Sequence, residues 1–272
     1  PMVSMIALAG FFAIWLLLWL PLVWGVATVL NLPWAYPVAA EHKIPLLLPL
    51  YGMAPLAVWV YSRYLADQTW SDYGLALRDG FGGALAAGFG GAVLGVLLLV
   101  AVEWGLGWRR LHAPDGAAVP EPQLLGAVIG IFALTGFIGG IEELVFRGVL
   151  VQGLLGAISP WAVVVAASLI FALSHLVWDG RAGIPSLPGL GLMGAVLMLA
   201  RWVDGGSLGL PWGLHSGWIF AIALVDTLQL APSAETPESW LAGKPDQPLT
   251  GLPALGLLGL TGFALWGYHS MV

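Results

Sequence analysis

Long apolar runs separated by short polar stretches fill this chain from end to end. A transmembrane helix needs about 20 mainly apolar residues. Eight runs come close to that length: 5–30, 44–65, 81–102, 123 onward through Glu142 and Glu143, 160–178, 187–203, 208–228 and 251–269. The first carries no charge, and with its length and no basic leader it reads as a spanning helix, not a cleaved signal peptide. The third places Gly83, Ala87, Gly91 and Gly95 at four-residue spacing, which predicts a smooth stripe for close helix packing. Polar, Pro-containing connectors lie at 66–80, 103–122 and 231–250, none long enough for a soluble domain. The expected architecture is all-α: one polytopic membrane domain, residues 1–272, with about eight transmembrane helices. The absence of an evident internal repeat counts against inverted-repeat transporter folds.

Composition sharpens this picture. The chain is 59% hydrophobic and 9% charged, against roughly 25% charged in soluble domains, and its mean hydropathy is +0.91. So little polar surface excludes a cytosolic enzyme or a disordered regulator, and makes the lipid bilayer the solvent for most of the chain. Without cysteine, disulfide, redox and thiolate–zinc chemistry are all excluded. A net charge of −6 offers no basic footprint for nucleic acid. The 15 Trp residues suit an aromatic belt at the bilayer surface. Orientation stays open: with the amino terminus inside, Arg63, Arg78, Arg147 and Arg201 face Lys43, Arg109, Arg110, Arg181 and Lys244 across the membrane, which decides nothing.

Ionisable residues inside apolar runs are costly and therefore informative. The densest cluster is Gly140-Ile141-Glu142-Glu143-Leu144-Val145-Phe146-Arg147-Gly148. Glu143 and Arg147 stand four apart, acid first, the better order for pairing on one helix face. Glu142 points elsewhere and has no such partner in its own helix, so it is left as the candidate general base. His175 lies near the end of the fifth run and His215 early in the seventh. A carboxylate, two imidazoles and a paired Glu–Arg on three helices form a kit for activating water. Asp226 reads as the polar end of its helix. His42, His112 and His269 fall in connectors or at the tail and receive no role.

Glu142-Glu143-x-x-x-Arg147, Phe171-x-x-x-His175 and the later His215 resemble the three motifs of the CPBP (CAAX protease and bacteriocin-processing, Abi) intramembrane proteases, relatives of the type II CAAX prenyl endopeptidases. Phe146-Arg147-Gly148, Asp72-Tyr73-Gly74-Leu75 and the connector before the last helix also look like bacterial members. The motif core covers about residues 123–230. The resemblance implies an eight-helix fold with a cavity open to membrane and water. It also implies hydrolysis of a peptide bond near the C-terminus of a membrane-anchored protein or peptide, in a bacterial inner or thylakoid-like membrane. By this analogy Glu142 and His175 activate water, Glu143 and Arg147 support them, and His215 forms an oxyanion hole with an Asn four residues later. Here that position is Ile219, which cannot donate a hydrogen bond, so a slow protease is expected.

Three alternatives stand beside this reading. Glu142, His175 and His215 could supply a His₂Glu zinc set; with no His-Glu-x-x-His helix, metal-independent chemistry without a cofactor is preferred. A non-catalytic scaffold, assembly partner or immunity protein, binding other membrane proteins, would account for Ile219. A proton-coupled transporter would normally show repeat symmetry.

Overall fold

The computed structural model describes residues 2–76, 79–109, 121–227, 241, 243 and 247–271. His112 and much of the 103–122 and 231–250 connectors lie outside the described residues, as do Arg78, Arg110 and Lys244. The elements are helical throughout: α1 (Met2–Val29), α2 (Ala40–Tyr61) running into a π turn (Ser62–Ala66), α3 (Phe81–Gly105), α4 (Glu121–Glu142), a π-helical segment (Glu143–Leu150), α5 (Val151–Leu155), α6 (Pro160–Ser174), α7 (Leu176–Asp179), a 3₁₀ turn (Gly180–Ser186), α8 (Leu187–Val203), α9 (Gly209–Thr227), a 3₁₀ turn (Pro248–Thr250) and α10 (Leu252–His269).

All eight apolar runs are therefore helical. Among the described residues, five continuous helical stretches are long and apolar enough to cross a membrane: Met5–Val29, Glu41–Ala66, Phe81–Gly105, Gln123–Leu155 and Pro160–Val203. The expected count of eight crossings differs from these five for two reasons. The fifth and sixth runs follow one another through α7 and the 3₁₀ turn as one 44-residue stretch. The α9 and α10 helices, diluted by Gly, Trp and His, fall outside the five. Large apolar side chains such as Leu17, Leu98, Trp161 and Phe263 point outward. In water such exposure would be a liability, whereas against hydrocarbon it costs nothing. The protein is an integral membrane protein.

Helix α9 is the centre of the bundle, packed most extensively on α3 and next on α4, while α6 and α10 both lie against α8 and α1 lies against α2. A Cβ on Gly213 would come within 2.1 Å of the Leu85 carbonyl, and one on Gly217 within 2.6 Å of that of Phe89. These two glycines bring the α3 and α9 backbones into contact. The expected stripe of Gly83, Ala87, Gly91 and Gly95 is not this face. Gly83, Ala87 and Gly91 are exposed, Gly95 meets only a Leu257 side chain, and α3 buries Phe81, Gly88, Ala92 and Val96 instead. A helix in lipid is apolar on all sides, so small-residue spacing alone does not say which side is packed.

Two local devices set the register of the helices around the core. Ser159 caps α6 by accepting from the Ala162 N–H at 3.4 Å, with Pro160 fixing the first turn. The start of α9 is held where the Leu210 N–H meets Asp204 Oδ2 and the Gly209 N–H meets Ser207 Oγ, both at 3.0 Å. Every residue of the π segment is buried. Its Glu143 and Arg147 therefore sit in the middle of the protein.

The turn before α3 braces the π segment from outside. The Asp72 carboxylate accepts from the Thr69 N–H at 2.6 Å and the Thr69 hydroxyl at 2.8 Å, and these bonds hold its carboxyl below the ordinary carboxylate value. The neighbouring Tyr73 is fully buried against Gly148, with its ring stacked on Tyr61. A carboxyl lowered in the folded state stabilises above its unfolded value of about 3.9, and that contribution disappears as pH falls through the folded value. Asp72→Asn is thus expected to lower the detergent melting temperature at neutral pH. The gap to wild type should narrow as pH falls through the lowered value, and a gap of constant size would contradict the assignment.

Candidate active site

The motif residues arrive at one place from α4, the π segment, α6 and α9. Glu142 closes α4 and Glu143 opens the π segment. Such π segments interrupt the regular ladder and occur often at functional sites. The Gly139-Gly140 pair just before them admits α9. A Cβ on Gly139 would lie 2.4 Å from Ser216 Oγ, and one on Gly140 would lie 2.5 Å from the Trp212 ring. The Trp212 indole N–H then donates to the Gly136 carbonyl at 2.8 Å and ties α9 to α4. This close approach lets His215 reach both glutamates.

Glu143 is fully buried, and Arg147 Nη1 donates to its Oε1 at 3.0 Å. The pairing expected from four-residue spacing is present. Arg147 also reaches the Gly194 carbonyl at 3.4 Å and lies over the Phe171 ring, 4.3 Å from its centroid. Its own carbonyl accepts from Arg201 Nη1, whose Nε donates to the Gly206 carbonyl at 3.1 Å. A buried carboxylate paired with Arg147 is ionised and only accepts, so His215 Nδ1–H donates to Glu143 Oε1, at 2.7 Å. That fixes the tautomer and leaves Nε2 as the basic nitrogen, 3.5 Å from Glu142 Oε2.

Glu142 is not the unpartnered carboxylate that the helix periodicity suggests. Its Oε1 accepts a hydrogen bond from the Tyr51 hydroxyl, delivered by α2 from far earlier in the chain, and its Oε2 faces His215. Periodicity sees only neighbours on the same helix, and both partners come from other helices. Among the described residues, His175 makes no hydrogen bond to Glu142. The helix breaks at His175, whose N–H turns to the Ala172 and Leu173 carbonyls. The Phe171 carbonyl, released by that break, accepts from Ser174 Oγ at 2.7 Å and from His175 Nδ1–H at 2.9 Å. His175 Nε2 is thereby its basic nitrogen. The rings of His175 and His215 stand edge-to-face to Phe171, at 4.9 and 5.8 Å.

Glu142, His175, His215 and Ile219 all line one cavity of about 210 Å³. Leu99, Val100, Ile222, Leu257 and Leu258 make its walls apolar, while Glu103, Trp108, Arg109 and Asp226 give it a polar end. Asp226 is therefore part of the cavity and not merely the polar end of its helix. Glu103 and Arg109, paired at 2.5 Å, are cavity residues that the sequence reading did not single out; a charge at the end of an apolar run looks the same whether it meets water or a cavity. His42 and His269 lie outside the cavity lining. Among the described residues no group of three or more His, Asp or Glu side chains is gathered to hold a metal.

Residues 123–221 match the family model for type II CAAX prenyl endopeptidase Rce1-like proteins. The resemblance to CAAX-type proteases is shown. The matched segment runs from α4 to Ala221 in α9 and contains Glu142, Glu143, Arg147, His175, His215 and Ile219. Tyr51, Glu103 and Arg109 lie before it. No curated protein and no solved structure matches the chain.

Proposed function

We propose that this CAAX-protease-like protein is an intramembrane endopeptidase that hydrolyses a peptide bond near the C-terminus of a membrane-associated protein or peptide. The observation that carries the reading is the buried Glu142, placed within the Rce1-like segment beside His215 at the wall of a largely apolar cavity. Glu142 Oε2 and His215 Nε2 are both acceptors in their basic forms, so a 3.5 Å approach is favourable when one proton is held between them. In the reaction, a water in the cavity gives a proton to Glu142, assisted by His175 Nε2. Its oxygen bonds to the scissile carbonyl carbon and the carbonyl π pair moves onto oxygen. When the tetrahedral intermediate collapses, the C–N bond breaks and the proton passes from Glu142 to the leaving amine. No step requires a metal or another cofactor.

The negative oxygen needs donors, and position 219 offers none, because Ile219 lines the same cavity with a hydrocarbon side chain. One missing oxyanion donor typically costs about 10²–10³ in rate. This vacancy favours a second reading, a weakly active or inactive relative that serves other membrane proteins as scaffold, assembly partner or immunity protein. The two readings separate in a cleavage screen of purified protein against a membrane-anchored peptide library. Under the protease reading wild type cleaves slowly, Ile219→Asn is faster by up to about 10²-fold, and His215→Ala removes the remaining rate. If wild type and Ile219→Asn both leave every peptide intact, the scaffold reading replaces the first.

A further inference from the structure

We infer that Tyr51, on α2 and outside the Rce1-like segment, is a positioning residue for Glu142; the inference rests on the hydrolytic reading of Glu142 given above. The Tyr51 hydroxyl donates to Glu142 Oε1, while Oε2 of the same carboxyl lies 3.5 Å from His215 Nε2. The two oxygens of one carboxylate thus have different neighbours on opposite sides. A glutamate side chain has three rotatable bonds, and a base must be held in a reactive geometry to be efficient. Anchoring Oε1 on a phenol turns Oε2 toward His215 and the water site.

The surroundings show why a phenol stands here. Tyr51 lines a small apolar pocket between α2 and α4 with Ile44, Leu48, Phe137 and Ile138, and Ile138 also lines the main cavity. A hydroxyl in that position has no competing polar group in the pocket lining, and low polarity strengthens its one hydrogen bond. A phenylalanine would fill the same space, so packing alone does not require the oxygen. The placement of the ring is itself fixed. Tyr51 lies between Pro49 and Pro55 in α2, where the Trp15 indole N–H on α1 donates to the Leu50 carbonyl at 2.7 Å, and Trp19 does the same to Leu46 at 3.1 Å. Through α2, the amino-terminal helices thus take part in the geometry of a site whose recognised motifs all lie later in the chain. Tyr51 keeps its proton throughout; it orients the base and transfers nothing.

Tyr51→Phe tests this with two readouts. The first is kcat and KM on a cleaved membrane-anchored peptide, with detergent melting to verify folding. The second is the infrared carboxylate band that Glu142→Gln removes. The expected result is a kcat lower by roughly 10- to 100-fold with KM unchanged, and a displaced band in a variant that melts like wild type. An unmoved band, or a moved band with unchanged kcat, overturns the inference. Failure of the underlying reading is seen elsewhere: cleavage by Glu142→Gln at the wild-type rate, or no cleavage by wild type, overturns the hydrolytic assignment and the positioning role with it.

Discussion

Glu142→Gln is expected to lower the rate of peptide cleavage by about 10²–10⁴-fold, the usual worth of a positioned general base, with melting close to wild type. An amide cannot take the proton from water. It still presents an oxygen to the Tyr51 hydroxyl, and its NH₂ group can donate to His215 Nε2, so no buried polar atom is stranded. The variant separates chemistry from folding. Single-turnover rates on a cleaved peptide, with KM and melting measured alongside, check both halves. Loss of the fold in Glu142→Gln would mean that the residue is part of the structural ion cluster and not the base.

Arg147→Ala should do the reverse and act first on stability. Arg147 is about as buried as any side chain in the protein and neutralises Glu143, which is fully buried. Removing one member of a buried ion pair typically costs about 3–5 kcal/mol, because the other charge is left uncompensated. Arg147 also carries the contacts to the Gly194 carbonyl and the Phe171 ring, and through Phe171 it supports both imidazoles. The paired replacement Glu143→Gln with Arg147→Met should recover much of the lost stability, since replacing both partners removes the stranded charge. It should not recover activity, because His215 then loses the carboxylate that fixes its tautomer. Chemical denaturation of the reconstituted single and double variants checks this; a double variant no more stable than Arg147→Ala would show that the pair is not the source of the loss.

Much of this was legible in the sequence for identifiable reasons. Hydrophobic run length, with proline and glycine between runs, located all eight helical stretches. The Glu143–Arg147 pair followed from spacing alone, because i,i+4 neighbours share a helix face. Three features were hidden. Tyr51 reaches Glu142 across 91 residues of sequence, and a tyrosine in an apolar run looks like any lipid-facing aromatic. His215 bridges Glu142 and Glu143 only because Gly139 and Gly140 let α9 come close, a property of the fold and not of any local pattern. The packing face of α3 was misjudged because in lipid the buried and exposed sides are equally apolar, so the period that marks the core of a soluble protein is missing.

The central claim, that water activated at Glu142 cleaves a peptide bond in this cavity, is tested most directly by running the purified protein on a membrane-anchored peptide in oxygen-18 water with a chelator present. Wild type is expected to place one heavy oxygen in the new carboxylate, and Glu142→Gln to yield no cleaved product on the same timescale. Equal product from both proteins, or product that forms only when zinc is restored, would contradict the claim.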